Sequence, residues 1–361
     1  MAGRVVSARS ASKPCGDCQG AAVVCIYLLP STVYFLSPLL DLSKLAPGSR
    51  VQHELLVLDR ADKDTRDGKP FARLTLGNAS GRIDTAPVWS EQLSWVAGAE
   101  KGKIVQVIGT VGEYQGKRQL TLTAPVRVLP PAAGSAEQFL PHIARKTEEL
   151  WAWIDEQRAA LTSSRLRVAL DVFFADDVFR QEFARAPGST TGHHAQIGGL
   201  LLHSVEVATI AQGIARTMRA DVELVTVGAL LHDIGKVESY SVNPTGFGHT
   251  SAGHLLGHVV LGTMMLDRRL RALPKGTLTP QQELELQHFL QSHHGALEFG
   301  AAVQPMTLEA EILHWADQAS AKSADVTDTL ANDEHFGDDA FTLKRPWPVQ
   351  KRLWRRPHGW E

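Results

Sequence analysis

Fifteen histidines occur in the 361 residues, and eleven of them fall between His193 and His314. Imidazole is the commonest metal-ligating side chain, so crowding of this kind points to a site. The informative pieces are His203, the pair His232-Asp233, His258, the pair His293-His294, and Asp317. His203 lies in an amphipathic run, and His232-Asp233 closes the apolar stretch Val225-Thr-Val-Gly-Ala-Leu-Leu231. His258 sits within Leu255-Leu-Gly-His-Val-Val-Leu261, His293-His294 follows Leu286-Gln-His-Phe-Leu-Gln-Ser292, and Asp317 follows Ile312-Leu-His-Trp-Ala316. A lone histidine on an apolar face is ordinarily a satisfied core residue. Five such segments, each left unpaired, would cost on the order of 1–3 kcal/mol apiece. A shared metal centre removes that cost. Mixed imidazole and carboxylate donors suit Mn²⁺, Fe²⁺, Co²⁺, Ni²⁺ or Zn²⁺ better than Ca²⁺ or Mg²⁺. Ile234-Gly-Lys236 then sets an amine beside the Asp233 carboxylate.

The elements that must position these residues follow from the change of hydrophobic period along the chain. From about Leu45 to Leu129 the period is two. Strands are predicted at 51–58, 71–76, 82–88, 104–111 and 118–123, with a helix at 90–99 capped by Ser90 and a hairpin turn at Tyr114-Gln-Gly-Lys117. Three strands, a helix and two strands is the order of an OB-fold barrel, a module that binds oligonucleotides, although a small barrel used only for packing has the same order. Residues 46–130 carry 12 basic and 9 acidic groups, against 15 and 21 for residues 131–322. Arg73, Arg82, Lys103, Lys117 and Arg118 are candidates to track a phosphate backbone, and Phe71, Trp89 and Tyr114 to stack on bases.

Pro130-Pro-Ala-Ala-Gly-Ser135 reads as a linker, after which the period is helical to about Ser323. The expected fold is therefore a small all-β OB-fold barrel followed by an all-α domain. The expected boundaries are an extension at 1–35, the barrel at 36–130, a linker at 131–140, the helical domain at 141–323, and an acidic loop with a basic tail at 324–361. That tail reads either as a solvated end docked through Trp347 and Trp354 or as a nucleic-acid contact. The three cysteines, Cys15, Cys18 and Cys25, lie in the extension, so no disulfide framework holds the rest, and a reducing cytoplasm is the natural expectation. The apolar run Ala21–Leu29 resembles a signal peptide or short membrane anchor, against which Pro30 and Pro38 favour a disordered or mis-assigned extension. No stable membrane association is expected. The net charge of −2 excludes a polycationic packaging protein.

His203, His232-Asp233 and Asp317 resemble the HD superfamily of metal-dependent phosphohydrolases, an all-helical fold, and His258 with His293-His294 resembles its two-metal branch. The strings His193-His-Ala-Gln-Ile-Gly-Gly-Leu-Leu-Leu-His203, Leu230-Leu-His-Asp-Ile-Gly-Lys-Val-Glu238, Ser292-His-His-Gly-Ala-Leu-Glu-Phe-Gly300 and Pro305-Met-Thr-Leu-Glu-Ala-Glu-Ile-Leu-His314 are similar to the YhaM family. That family comprises bacterial 3′-5′ exoribonucleases joining an OB-fold to an HD domain, and the similarity spans about residues 36–323.

The resemblance implies that His203, His232, Asp233 and Asp317 hold one metal, and that Asp233 bridges to a second held by His258 and His293, with His294 beside it. Two ions, Mn²⁺ first among them, would activate hydroxide for attack on a phosphodiester. Lys236 would place a charge on the scissile phosphate. His193 and His194 would contact substrate or support a ligand from behind, packing being the alternative. The implied partner is single-stranded RNA or DNA, and a homo-oligomer is compatible with it. The rival readings are an HD-type nucleotide or cyclic-dinucleotide phosphohydrolase and a non-catalytic nucleic-acid-binding factor. The Gly-Tyr-Pro signature of the cyclic-di-GMP type is absent after His294, where the chain runs Gly295-Ala-Leu-Glu-Phe-Gly300.

Overall fold

The computed structural model describes residues 40–130 and 136–360. The expectations for residues 1–35, including Cys15, Cys18, Cys25 and the apolar run, lie outside the described residues, as does 131–135 of the linker.

Five strands close a barrel: β1 (Arg50–Asp64), β2 (Pro70–Asn78), β3 (Gly81–Thr85), β5 (Ile104–Tyr114) and β6 (Lys117–Leu122), with the short β4 (Val88–Trp89) against β2 and β7 (Arg127–Val128) against β5. β1 pairs with β5 through its first half and with β2 through its second. The sheet shuts where β3 meets β6 in parallel, Asp84 opposite Gln119 and Thr85 opposite Leu120. Alternation sends Val51, Leu55, Leu74, Leu76, Val105, Val107 and Leu120 into the barrel core. A register shift between Val57 and Asp59 lets β1 turn the corner. This is the expected OB-type order.

Two details differ from expectation. The strand read as 82–88 breaks at Ala86-Pro87, because proline has no N–H for the ladder, and resumes as β4. The segment read as a helix at 90–99 is a 3₁₀ helix, Ser90–Val96, preceded by Trp89 and with no side-chain cap.

The helical region comprises α1 (Thr147–Ala160), α2 (Ser164–Phe174), α3 (Asp177–Arg185), α4 (Gly199–Met218), α5 (Val222–Leu231), the single turn α6 (Lys236–Ser239), α7 (Ser251–Arg271), α8 (Pro280–Ser292) and α9 (Leu308–Ala331). α5 is apolar all round and fully buried from Val225 to Leu231, which makes it the central rod of the domain. Phe173, Phe174, Phe179 and Phe183 fill the layer under α2 and α3.

The all-helical expectation needs one correction. The hairpin β8 (Tyr240–Asn243) and β9 (Gly246–His249) interrupts the helices between α6 and α7. Its turn, Asn243-Pro-Thr-Gly246, carries the turn chemistry that sequence reasoning passed over. A second correction concerns α9, which continues to Ala331, so the acidic stretch expected as a loop from 324 begins as helix. The linker is also shorter than expected. Residues 136–139 form a 3₁₀ turn, and Leu140 packs with Leu56 of the barrel and Ile197. No helix among the described residues is long and apolar enough to cross a membrane.

Candidate metal centre

Two helix ends use one device. α5 ends at His232, whose Nδ1–H donates to Ala229 O at 2.6 Å, and α8 ends at His293, whose Nδ1–H donates to Leu290 O at 2.9 Å. Each imidazole thus satisfies a carbonyl of the last helical turn. That bond fixes the tautomer and leaves the Nε2 lone pair facing into the domain. His203 enters from the second turn of α4, Asp317 from α9, and His258 from α7. Gly257, one residue before His258, takes φ 73° and ψ 162°, which kinks α7 there.

Asp233, the residue after the α5 cap, lies at the middle of this set. Its Oδ2 is 3.0 Å from His232 Nε2 and 3.4 Å from His203 Nε2. Its Oδ1 is 3.4 Å from His258 Nε2 and 3.7 Å from His293 Nε2. Asp317 Oδ1 lies 3.1 Å from His203 Nε2 and 4.0 Å from His232 Nε2. The donor atoms of His203, His232 and Asp233 fall within 4.8 Å of one another, and so do those of His258, His293 and His294. The structure therefore brings together all seven residues expected to hold metal, in two groups straddled by one carboxylate.

Five buried atoms in this centre have no hydrogen-bond partner: His232 Nε2, Asp233 Oδ1, His258 Nε2, His293 Nε2 and His294 Nδ1. For His232 and His293 the reason is direct. With Nδ1 donating, Nε2 is a lone pair, and it faces carboxylate lone pairs at 3.0 and 3.7 Å. Buried acceptors turned toward one another are unfavourable until a cation lies between them. The donor set fits a divalent transition metal on that ground.

The protonation states agree with two unlike halves. Against burial, which disfavours the imidazolium, Asp233 and Asp317 raise His203 to about 8. Burial brings His258 down to about 3 and holds His293 and His294 below the ordinary imidazole value. Asp233 resists the penalty of burial because the Lys236 ammonium beside it holds its carboxyl well below the usual range. Lys236 Nζ sits 2.6 Å from Asp233 Oδ2. Burial opposes the Lys236 charge, and Asp233 outweighs it, keeping the amine above its usual value.

His193 and His194 stand one layer out. His194 Nε2 is 3.2 Å from Glu206 Oε2, and His193 Nδ1 is 3.3 Å from Asp325 Oδ2. Three residues that sequence reasoning missed support the centre from behind. Ser320 Oγ lies 3.1 Å from His203 Nδ1 and donates to Glu206 Oε2 at 2.9 Å. His314 Nδ1–H donates to His293 O at 2.8 Å, tying the His293-His294 turn to α9. Ser320 falls one turn beyond Asp317, and His314 one turn before it; that spacing was the available signal.

On the barrel, half-buried Phe71 and exposed Trp89 form a ring pair at 5.4 Å, with Arg73 exposed two residues along β2 and Arg82 exposed on β3. Tyr114, Lys117 and Lys103 are exposed as well. Arg118 is engaged differently from expectation. Its guanidinium donates to the carbonyls of Leu42, Ser43 and Leu45 and pairs with Glu334 at 3.3 Å, so it holds the protein's own chain.

A helical domain that gathers imidazoles around one central aspartate, joined to a five-stranded barrel, defines the chain as an HD-domain protein, and the HD domain family matches residues 200–322. The 3′-5′ exoribonuclease YhaM of Bacillus subtilis is 31% identical over 276 residues, covering 76% of this chain and 86% of that protein. The 3′-5′ exoribonuclease YhaM of Bacillus pumilus is 29% identical over 316 residues, covering 86% of this chain and 96% of that protein. The chain belongs to the YhaM family. Among solved structures, a domain of replication protein A from Methanococcus maripaludis matches 25% of this chain and 93% of its own, at 21% identity and a TM-score of 0.21.

Proposed function

We propose that the protein is a metal-dependent 3′-5′ exoribonuclease that removes nucleotides from single-stranded RNA in the cytoplasm, with single-stranded DNA as a second substrate. The observation that carries this reading is the Asp233 carboxylate, whose two oxygens face two separate sets of imidazoles, among them the unsatisfied Nε2 atoms of His232, His258 and His293. His203, His232, Asp233 and Asp317 would hold one ion, and His258, His293 and His294, with Asp233, a second. Mn²⁺ is the first candidate, with Co²⁺, Fe²⁺, Ni²⁺ and Zn²⁺ as others. Bound there, divalent ions supply Lewis acidity toward a phosphoryl oxygen and a nucleophile at neutral pH.

The protein's own groups do the rest. Lys236 is a fixed cation beside Asp233, set to neutralise charge on the scissile phosphate or its leaving oxygen. The neutral His258 and His294, both half-buried, form the more accessible side of the centre, while His232, His293 and Asp317 are buried. The Phe71–Trp89 pair offers a stacking surface, and Arg73, Arg82 and Lys117 offer charges for a backbone.

Incubation with 5′-labelled single-stranded RNA and matched DNA, with Mn²⁺ and with EDTA, tests the proposal. A ladder shortening from the 3′ end, lost with EDTA, is the expected result. No shortening of either strand by protein with metal bound would sink it and favour a small-nucleotide phosphohydrolase.

A further inference from the structure

The segment after α9 lies outside the matched HD region, yet it is built. Thr342 is fully buried and its N–H donates to Leu353 O at 2.9 Å, while Leu353 N–H returns to Thr342 Oγ1 at 3.0 Å. Arg355 stacks over the Phe336 ring at 3.8 Å and pairs with Asp333 at 2.7 Å. Phe341 pairs with Trp354 as an isolated antiparallel bridge. This small knot of chain presents tryptophan to water: Trp347 is 71% exposed, Trp354 46% and Trp360 84%.

Residues 344–360 contain six lysines and arginines and no acidic residue. Two of the six are neutralised, Arg352 by Asp339 at 3.8 Å and Arg355 by Asp333 at 2.7 Å. Lys344, Arg345, Lys351 and Arg356 are exposed, with no ion pair among the described residues. Cations interleaved with exposed indoles are the composition of a surface for single-stranded nucleic acid, where every base has a face to stack and every link a phosphate to neutralise.

The position of the segment fits that use. α9 carries Asp317 of the metal centre and runs on to Ala331, about 21 Å along its axis at about 1.5 Å per residue. Just beyond, Glu334 meets Arg118 of the barrel, one residue from Lys117 and beside the turn of the hairpin that carries exposed Tyr114. One rod thus joins the centre to a place where barrel and terminal segment lie side by side. At roughly 3.4 Å per stacked nucleotide, that rod spans about six nucleotides.

We propose that residues 341–360 are a second single-stranded RNA platform, which together with the barrel engages the strand about six nucleotides upstream of the 3′ end held at the metal centre. The proposal rests on the exoribonuclease reading. Its consequence is a dependence on length: a tetramer occupies the centre without reaching the platform, and a 20-mer reaches both.

The test compares the full chain with two variants, one combining Lys344→Ala, Arg345→Ala, Lys351→Ala and Arg356→Ala, the other combining Trp347→Ala and Trp354→Ala. Affinity for 5′-fluorescein RNA of 20 and of 4 nucleotides is read by anisotropy in EDTA across a salt series. Tetramer turnover with Mn²⁺ reports that the centre is intact. The charge variant is expected to lower the salt slope for the 20-mer by about 3, at roughly 0.7 per cation. The tryptophan variant is expected to lose about tenfold in 20-mer affinity. Ultraviolet cross-linking of the unsubstituted protein to the 20-mer is expected to leave adducts on peptide 344–360. Unchanged 20-mer affinity and salt slope in both variants, or no adduct there, would overturn the platform and leave the surface to a protein partner. Failure of the unsubstituted chain to shorten even the tetramer would instead remove the exoribonuclease reading, and this proposal with it.

Discussion

Lys236 Nζ lies 2.6 Å from Asp233 Oδ2, the same oxygen that faces His203 and His232. A metal ion held there would compete with this ammonium for the Asp233 carboxylate, and the amine is one helical turn from the residue it neutralises. Removing Lys236 returns full negative charge to Asp233. Lys236→Ala is expected to keep or tighten metal binding while turnover falls roughly 100- to 1,000-fold, the scale of one lost charge stabiliser. Metal content by mass spectrometry and kcat on a short RNA separate the two effects. Loss of metal together with activity would show that Lys236 acts on the centre's assembly.

Asp233→Asn removes the carboxylate that both sets of imidazoles face. The amide offers one carbonyl oxygen where two carboxylate oxygens stood, so one set of imidazoles loses its shared anion. Metal content is expected to fall below one ion per chain and turnover by at least about 1,000-fold. RNA affinity measured in EDTA is expected to stay within about twofold, because the barrel is untouched. Full activity in this variant would refute the assignment of the centre.

Metal binding is expected to release a proton, and the sign follows from His203. Its pKa is raised to about 8, so it holds a proton below that pH which an incoming ion must displace. Affinity at the His203 set is expected to fall about tenfold per unit as pH drops below about 8. His258, at about 3, and the lowered His293 and His294 are neutral at pH 7 and release none. Calorimetry in two buffers of different ionisation enthalpy at pH 7 should report close to one proton for the first ion. A proton count of zero between pH 6 and 7 would count against the direct His203 contact.

The barrel and the residues gathered at the candidate metal centre were legible in sequence for one reason: each announces itself in the types and period of residues. Strand alternation reports a half-buried sheet, and histidine or aspartate at the end of an apolar helix reports an unsatisfied polar burial. Other features carry no such signature. Ser320, Glu206 and His314 are ordinary polar residues whose importance lies in which neighbour the fold brings to them. Arg118 reads as a free cation until the structure shows it bound to the carbonyls of 42–45. The β8–β9 hairpin is four residues a side, too short for its alternation to stand out between helices.

Ser320 yields a third kind of prediction. Its hydroxyl accepts from His203 Nδ1–H and donates to Glu206, a relay that aims the imidazole and raises its basicity. Ser320→Ala leaves that N–H buried without a partner. Metal affinity is expected to weaken 10- to 100-fold, with kcat at saturating Mn²⁺ within about threefold of the parent. A drop in kcat that excess metal does not restore would show that Ser320 does more than orient the ligand.

Two glycines test how closely the helices must approach. A Cβ on Gly235 would overlap His258 O and the backbone of Gly262, because here the turn after α5 meets α7 backbone to backbone. Gly235 has φ −66°, so its requirement is space and not conformation. Gly235→Ala must push α7 outward, carrying His258 Nε2 away from the Asp233 Oδ1 that it faces at 3.4 Å. The expected cost is about 1–3 kcal/mol in stability, with a loss of activity much larger than that cost explains, since a displacement of about 1 Å at a reacting centre is worth about 100-fold. Gly213 provides the contrast. It is exposed in the middle of α4 with nothing within 4 Å of an added Cβ, so Gly213→Ala should stabilise by about 0.5–1 kcal/mol and leave activity unchanged. Thermal unfolding and turnover measured on both variants check the pair. Equal small effects from the two alanines would mean that the α5–α7 contact does not set the distance between Asp233 and His258.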